Sequence, residues 1–179
     1  MAPSSRTASL RPDLLIGPIA GPRRPAMRAL PAFALGALAP LAIIAAGALF
    51  PPGPWYDALL KPAFTPPDAL FGPVWTALYV ANAVSLGLLL RAPRSVARTN
   101  ALGAMALQLG LNASWTPVFF GAQSVGGGLL VVVALLAAIL ACVAWLRRVN
   151  GWAALLMLPY LAWVAFAALL NLSIWMLNR

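Results

Sequence analysis

Gln108, Asn112, Trp115 and Phe119 recur at spacings of three and four residues, which at 100° per residue places them within about 60° of one another on a helix. Tyr160, Trp163, Ala167 and Asn171 repeat the spacing, with Phe166 adjoining, and Trp75, Tyr79 and Asn82 repeat it a third time. Each set joins aromatic rings to a side-chain amide. Such a set suits noncovalent recognition: Trp and Tyr faces stack on a flat apolar molecule while amides and hydroxyls bond its polar edge. Two readings compete, a ligand site and the ordinary aromatic core of a helix bundle whose amides bond one another. For any single Trp the core reading is at least as good, and only the set favours a site.

Reaction chemistry has little to work with. The chain holds no histidine, three acidic residues and one cysteine, Cys142, inside an apolar run. That composition removes the commonest metal ligand and general base, and neither a CxxC nor an HExxH string is present. No metal site is expected, general acid–base catalysis is poorly supported, and Cys142 reads as a small packing residue. The formal net charge of +9 does not point to nucleic acid, because the arginines fall in short clusters at the ends of apolar runs and are not interleaved with aromatics.

The elements that must carry these side chains are set by lipid. With 63% hydrophobic and only 8% charged residues, the chain lies far outside the range of a soluble domain. A charge at a helix centre costs about 2.5–3.5 kcal/mol on the insertion scale, so uncharged gaps mark spans. There are 28 such residues between Arg28 and Asp57, 22 between Asp68 and Arg91, 48 between Arg98 and Arg147, and 30 between Arg148 and Arg179. Three gaps hold one helix each and the longest holds two, separated at GAQSVGGG, residues 121–128, where glycines and polar side chains mark a turn. The expectation is an all-α membrane protein, a bundle of five transmembrane helices near 29–50, 69–90, 100–120, 126–147 and 152–177. Ala106, Gly110 and Ala113 lie opposite the amide stripe of the third helix, a small-residue face suited to close packing within one protomer or to a dimer interface.

Arg6, Arg11, Arg23, Arg24, Arg28, Arg91, Arg94, Arg98, Arg147 and Arg148 fall on one side of such a bundle, against Lys61 and Arg179 on the other. The positive-inside rule then puts the N-terminus in the cytoplasm and the C-terminus on the opposite side of what is expected to be a bacterial inner membrane. Residues 1–28 read as a basic, disordered tail, with Met27 as an alternative start. A signal peptide ending at Ala46-Gly47-Ala48 is the rival reading of the N-terminal region.

The first loop, PPGPWYDALLKPAFTPPDALFGPVW, contains seven prolines. Proline fixes φ and removes backbone donors, so this loop is stiff and suited to act as a lid. Pro66 and Pro67 also suit a helix start, and Trp55 and Tyr56 are equally explicable as part of an interfacial aromatic belt. Trp145, Trp152 and Trp175, near expected helix ends, read as belt residues as well.

The strings WYDALLKPAFTPP from Trp55, Trp75 on the second helix, QLGLNASWTPVFFG from Gln108 to Gly121 and PYLAWVAFAALLN from Pro159 to Asn171 occur in this order. Together they resemble the recurrent signatures of the TspO/MBR family, also called translocator proteins or tryptophan-rich sensory proteins. The resemblance covers residues 29–178 and leaves the N-terminal tail unmatched. It implies a five-helix membrane protein, a homodimer, that binds a porphyrin such as protoporphyrin IX and acts as a sensor or transporter. Light-dependent porphyrin degradation and a ligand-free scaffold role are the alternatives. Porphyrin is implied as a ligand and no cofactor is required; a sterol or another apolar small molecule is a secondary candidate partner. The resemblance further implies that Trp75 and Trp163 touch the porphyrin and carry any photochemistry, and that Trp55 and Tyr56 close the pocket. With the three helical stripes, the candidate binding residues become Trp55, Tyr56, Trp75, Tyr79, Gln108, Asn112, Trp115, Phe119, Tyr160, Trp163, Phe166 and Ala167. The chain departs from animal members at its end, where LLNLSIWMLNR lacks the tyrosine of their C-terminal sterol motif. Without histidine and with its cysteine in an apolar run, it favours metal-free porphyrin over haem.

Overall fold

A computed structural model describes residues 28–179. The tail expected over residues 1–28 therefore lies outside the described residues, Arg28 excepted. The uncharged gaps fold as helices. Helix α1, Ala29–Gly47, buries a single narrow stripe of Ala32, Gly36, Pro40 and Ile43, and turns Leu30, Leu35, Leu38, Leu41 and Ile44 outward. On a chain of this composition such an apolar exterior is a lipid-facing surface. A short helix, α2, spans Pro54–Ala58 in the first loop, and α3 spans Asp68–Arg91. Helix α4, Val96–Thr116, runs into a π-helical turn at Pro117–Gly121, and α5 covers Val125–Arg147. Helices α6, Gly151–Leu156, and α7, Leu158–Leu177, form the last membrane segment.

The protein is thus an all-α integral membrane bundle with five membrane-length segments. Four of them are long and apolar enough to cross a membrane on their own composition. Helix α4 is the exception, because Arg98, Thr99, Asn100, Gln108 and Asn112 dilute its apolar residues. It is placed by its neighbours: α1 packs on α3 and α4, α4 on α5, α5 on α6 and α7, and α3 closes the ring against α6. Close approach of α1 and α3 requires glycine, since a Cβ on Gly36 would stand 2.5 Å from the Ala83 carbonyl oxygen. Met105, Ile139, Cys142, Leu146, Met157 and Val164 are fully buried in the common core.

Three local features differ from the sequence expectation. The glycines of residues 121–128 do not form the turn. Ser124 caps α5, its Oγ accepting from the Gly127 amide at 3.1 Å, so Gly126, Gly127 and Gly128 lie in the first turn of the helix. The left-handed residue of the connection is Gln123, with φ of 49°. Glycine is needed at 128 for space, because a Cβ there would stand 2.5 Å from Cδ2 of Phe119. The third expected helix begins earlier, at Val96, capped by Ser95, whose Oγ accepts from the Arg98 amide at 3.1 Å. Finally, the last span is interrupted at Met157, two residues before Pro159, which cannot donate to the carbonyl four residues back.

Connectivity gathers Arg28, Arg91, Arg94, Arg98, Arg147 and Arg148 at one end of the bundle and Asp57, Lys61, Asp68 and Arg179 at the other. At the basic end Arg98 caps α3, its Nε and Nη2 donating to the carbonyls of Leu89 and Leu90 at 3.1 Å each, where a cation also meets the negative end of the helix dipole.

Candidate functional site

The amides of α4 turn inward, because a primary amide facing lipid would have no partner. Gln108 and Asn112 are buried. Asn112 joins three helices: its Oδ1 accepts from the Tyr79 hydroxyl at 2.9 Å, and its Nδ2 donates to the Tyr160 hydroxyl at 2.8 Å. One turn away, Gln108 Nε2 donates to Asn82 Oδ1 at 3.1 Å and also lies 3.1 Å from Met105 Sδ. Interhelical bonding therefore engages both polar atoms of Asn112 but only the nitrogen of Gln108, whose Oε1 is buried with no partner.

Aromatic rings continue from this network toward the loop end. Trp75 lies 5.4 Å from Tyr79 and 6.3 Å from Tyr160 between ring centroids. Helix α3 packs on α6 more closely than on α7, and on the loop side of the Met157 break rings bridge the interval: Phe71 to Trp163 at 5.9 Å, Trp163 to Phe166 at 5.6 Å, and Phe166 to Phe64 of the loop at 6.3 Å. On the α4 side Trp115 stacks on Phe119 at 4.8 Å and 14°. Trp55 and Tyr56 of α2 close over this pair, Trp55 meeting Phe119 edge-on at 5.6 Å and Tyr56 meeting Phe120 at 5.3 Å.

The loop is fastened at several points. Asn178 clasps it from the end of α7: Oδ1 accepts from the Leu60 amide and Nδ2 donates to the Leu60 carbonyl, both at 2.9 Å. Lys61 Nζ lies 4.4 Å above the Tyr56 ring and donates to the carbonyls of Asp57 and Leu59 at 3.4 Å. A Cβ on Gly121 would meet the ring of Phe50 at 2.7 Å, so the start of the loop packs on the end of the π turn. Burial pushes the Tyr56 hydroxyl above its ordinary pKa of 10.0, and the carboxylates of Asp68 and Asp57 add to the shift.

The structure brings the sequence-derived residues into three connected groups. Tyr79, Asn112, Tyr160 and Trp75 form the first, with Gln108 beside it through Asn82; Trp115, Phe119, Trp55 and Tyr56 form the second; Trp163 and Phe166 belong to the third. Ala167 is half-buried and contributes its carbonyl, which accepts from Asn171 Nδ2 at 3.3 Å. Ala106 and Gly110 are exposed on the outside of α4, Ala113 is half-buried, and a Cβ on Gly110 would have no heavy atom within 4 Å. The residues missed by sequence reasoning are Phe64, Phe71, Phe120 and Asn178. Phe71 carries a usable signal, four residues before Trp75; Phe120 does not, because its contact with Tyr56 depends on the π turn.

Among the described residues, four buried side-chain polar atoms have no hydrogen-bond partner: Trp115 Nε1, Trp163 Nε1, Gln108 Oε1 and Asn171 Oδ1. Two donors and two acceptors thus remain open, an arrangement suited to holding a molecule. The charged groups Asp57, Lys61 and Asp68 stand at the rim. The family model for TspO/MBR proteins matches residues 34–176.

The chain belongs to the TspO/MBR family. It is 40% identical over 142 residues to the tryptophan-rich protein TspO of Chlorobaculum tepidum, covering 77% of this chain and 90% of that protein. Protein CrtK of Rhodobacter capsulatus is 37% identical over 139 residues, 75% of this chain and 84% of its own length. The translocator protein of Ovis aries is 40% identical over 130 residues, 70% and 75% respectively. The TspO/MBR match takes in α2 to α6 and most of α1 and α7, so it includes every group of the candidate site.

Proposed function

We propose that this TspO/MBR protein binds a tetrapyrrole between α3, α4 and α7 and acts as a porphyrin sensor or transporter. The observation that carries the reading is the pair of buried, unpaired indole donors, Trp115 Nε1 and Trp163 Nε1, on rings that flank the aromatic seam. Buried polar groups are normally bonded, and leaving one unmet costs about 1–3 kcal/mol. A porphyrin offers a flat face to the rings and carboxylate and pyrrole groups to the open donors and acceptors. A metal-free macrocycle is preferred, because the chain has no histidine and Cys142 is used in the core. A sterol or another apolar small molecule is a weaker fit, lacking groups for both indoles.

The exposed small-residue stripe of Ala106 and Gly110, continued by Ala113, supports a homodimer through α4. The basic end supports a cytoplasmic N-terminus, with the C-terminus on the opposite side of the membrane.

The test is a titration of detergent-purified protein with protoporphyrin IX in the dark, following tryptophan fluorescence, beside a Trp75→Phe/Trp163→Phe variant whose helicity is checked by circular dichroism. Saturable quenching is expected, with affinity in the variant weaker by about tenfold or more. Unsaturable quenching, equal in both proteins, overturns the proposal in favour of a ligand-free scaffold. Repeating the titration under light separates binding from degradation, which requires a distinct product formed more slowly by the variant.

A further inference from the structure

A concavity lies at the basic end, away from the aromatic seam. Val143 and Arg147 of α5 face Gly151, Ala154, Leu155 and Leu158 of the last span across a groove of about 300 Å³. The spacings explain its shape. Val143 and Arg147 are one turn apart, and the four facing residues follow at intervals of three, one and three, a single stripe down the span. Gly151 supplies no side chain, and a Cβ there would have no heavy atom within 4 Å. Ala154, only 3% exposed, forms the floor, while Leu155 and Leu158 form an exposed apolar wall.

The groove is polar at its mouth and apolar below. From Gly151 to Leu158 it descends about 10 Å at 1.5 Å per residue, more than the ~5–8 Å of each headgroup layer. Trp152, 73% exposed, stands beside the mouth as an interfacial aromatic. Arg147 is exposed there, and among the described residues the carboxylates, Asp57 and Asp68, are at the opposite end of the bundle. Its neighbour Arg148 is committed elsewhere, 4.9 Å above the ring of Trp145. The site therefore offers one guanidinium without a carboxylate partner above a strip of aliphatic surface, which is the chemistry of an amphiphile with an anionic head.

We propose that this groove is a binding site for an anionic glycerophospholipid, its phosphate on Arg147 and one acyl chain along Val143, Leu155 and Leu158. The site is independent of any tetrapyrrole, since none of its residues belongs to the aromatic seam.

The test uses native mass spectrometry of the whole protein released from micelles containing equal amounts of phosphatidylglycerol and phosphatidylcholine with the same acyl chains. Wild-type protein is expected to retain phosphatidylglycerol preferentially, one molecule per protomer. Arg147→Gln should lower that retention by about fivefold, the scale of one basic residue near an anionic surface, and Gly151→Leu should lower it by occupying the groove. Arg91→Gln, at the same end but over the Phe33 ring, should retain the lipid as wild type does. Equal retention of the two lipids by wild type, unchanged retention in Arg147→Gln, or equal losses in Arg147→Gln and Arg91→Gln would each overturn the assignment. All variants are compared at matched thermal stability, and Arg147→Gln, an exposed change, keeps the test valid if Gly151→Leu fails to fold.

Discussion

Substituting Gly128 by alanine puts one methyl group against the ring that supports the loop. The added Cβ would stand 2.5 Å from Cδ2 and 3.2 Å from Cβ of Phe119, and 3.2 Å from Asn171 Oδ1. Phe119 has nowhere to retreat: it is 1% exposed and meets the rings of Trp55, Tyr56, Trp115 and Phe120. Overpacking of this kind costs about 1–3 kcal/mol, whereas replacing glycine by alanine inside a helix gains about 0.8–1 kcal/mol. The balance is a net loss of about 1 kcal/mol, together with a displaced loop. Gly103→Ala is the matched control, because a Cβ at that exposed α4 position meets nothing within 4 Å; it should be neutral or gain up to about 1 kcal/mol. Thermal unfolding in detergent, followed by circular dichroism and tryptophan emission, measures both. If Gly128→Ala proves as stable as Gly103→Ala with unchanged emission, Phe119 is not held where its four neighbours place it, and the account of the loop's support fails.

The chain from Tyr79 through Asn112 to Tyr160 should appear as coupling in a double-mutant cycle. Asn112→Leu with Tyr160→Phe should show about 0.6 kcal/mol of interaction in unfolding free energy, the average for interhelical bonds in membranes, and strict additivity would mean that the bond is absent. Asn178→Ala removes both bonds to Leu60, so hydrogen exchange at the Leu60 amide should accelerate by about tenfold or more; mass spectrometry of the loop peptide reads the change, and unaltered protection would place the fastening elsewhere. Tyr56, whose pKa is raised chiefly by burial, favours its neutral form in the docked loop. Docking should therefore be undiminished below pH 10.0 and weaken above it as the phenolate favours the undocked state. Tyr56→Phe should abolish that alkaline change in tryptophan emission, and a change at or below neutral pH that survives the substitution would assign it to another group.

Spans were legible because a charge inside lipid is costly, so arginines and aspartates mark where helices stop. The inward face of α4 was legible for a related reason: amides must leave the lipid side, and a period of 3.6 residues says which side chains go with them. Partners were not. Periodicity puts Asn112 on a face but says nothing of Tyr79 and Tyr160, which lie 33 and 48 residues away in sequence. The run Gly126-Gly127-Gly128 was misleading because glycine serves two ends, turning a chain and admitting a neighbour, and only packing reveals that Phe119 is the neighbour. Phe120 was hidden by the π turn, since on a regular helix it would point about 100° away from Phe119. Asn178 was passed over at the end of the last gap, where polar residues usually face water.

The Asn178 clasp has a practical consequence. The residue that secures the first loop sits beyond the last turn of α7, so any group attached at its neighbour Arg179 lies next to the clasp. A bulky group attached there would strain the bonds to the Leu60 backbone, so loop stability measured on such a variant would carry the mechanics of the attachment. The same closeness makes position 179 a sensitive vantage point: a small environment-sensitive dye placed there would report movement of the loop from outside the aromatic seam, without replacing any of its rings.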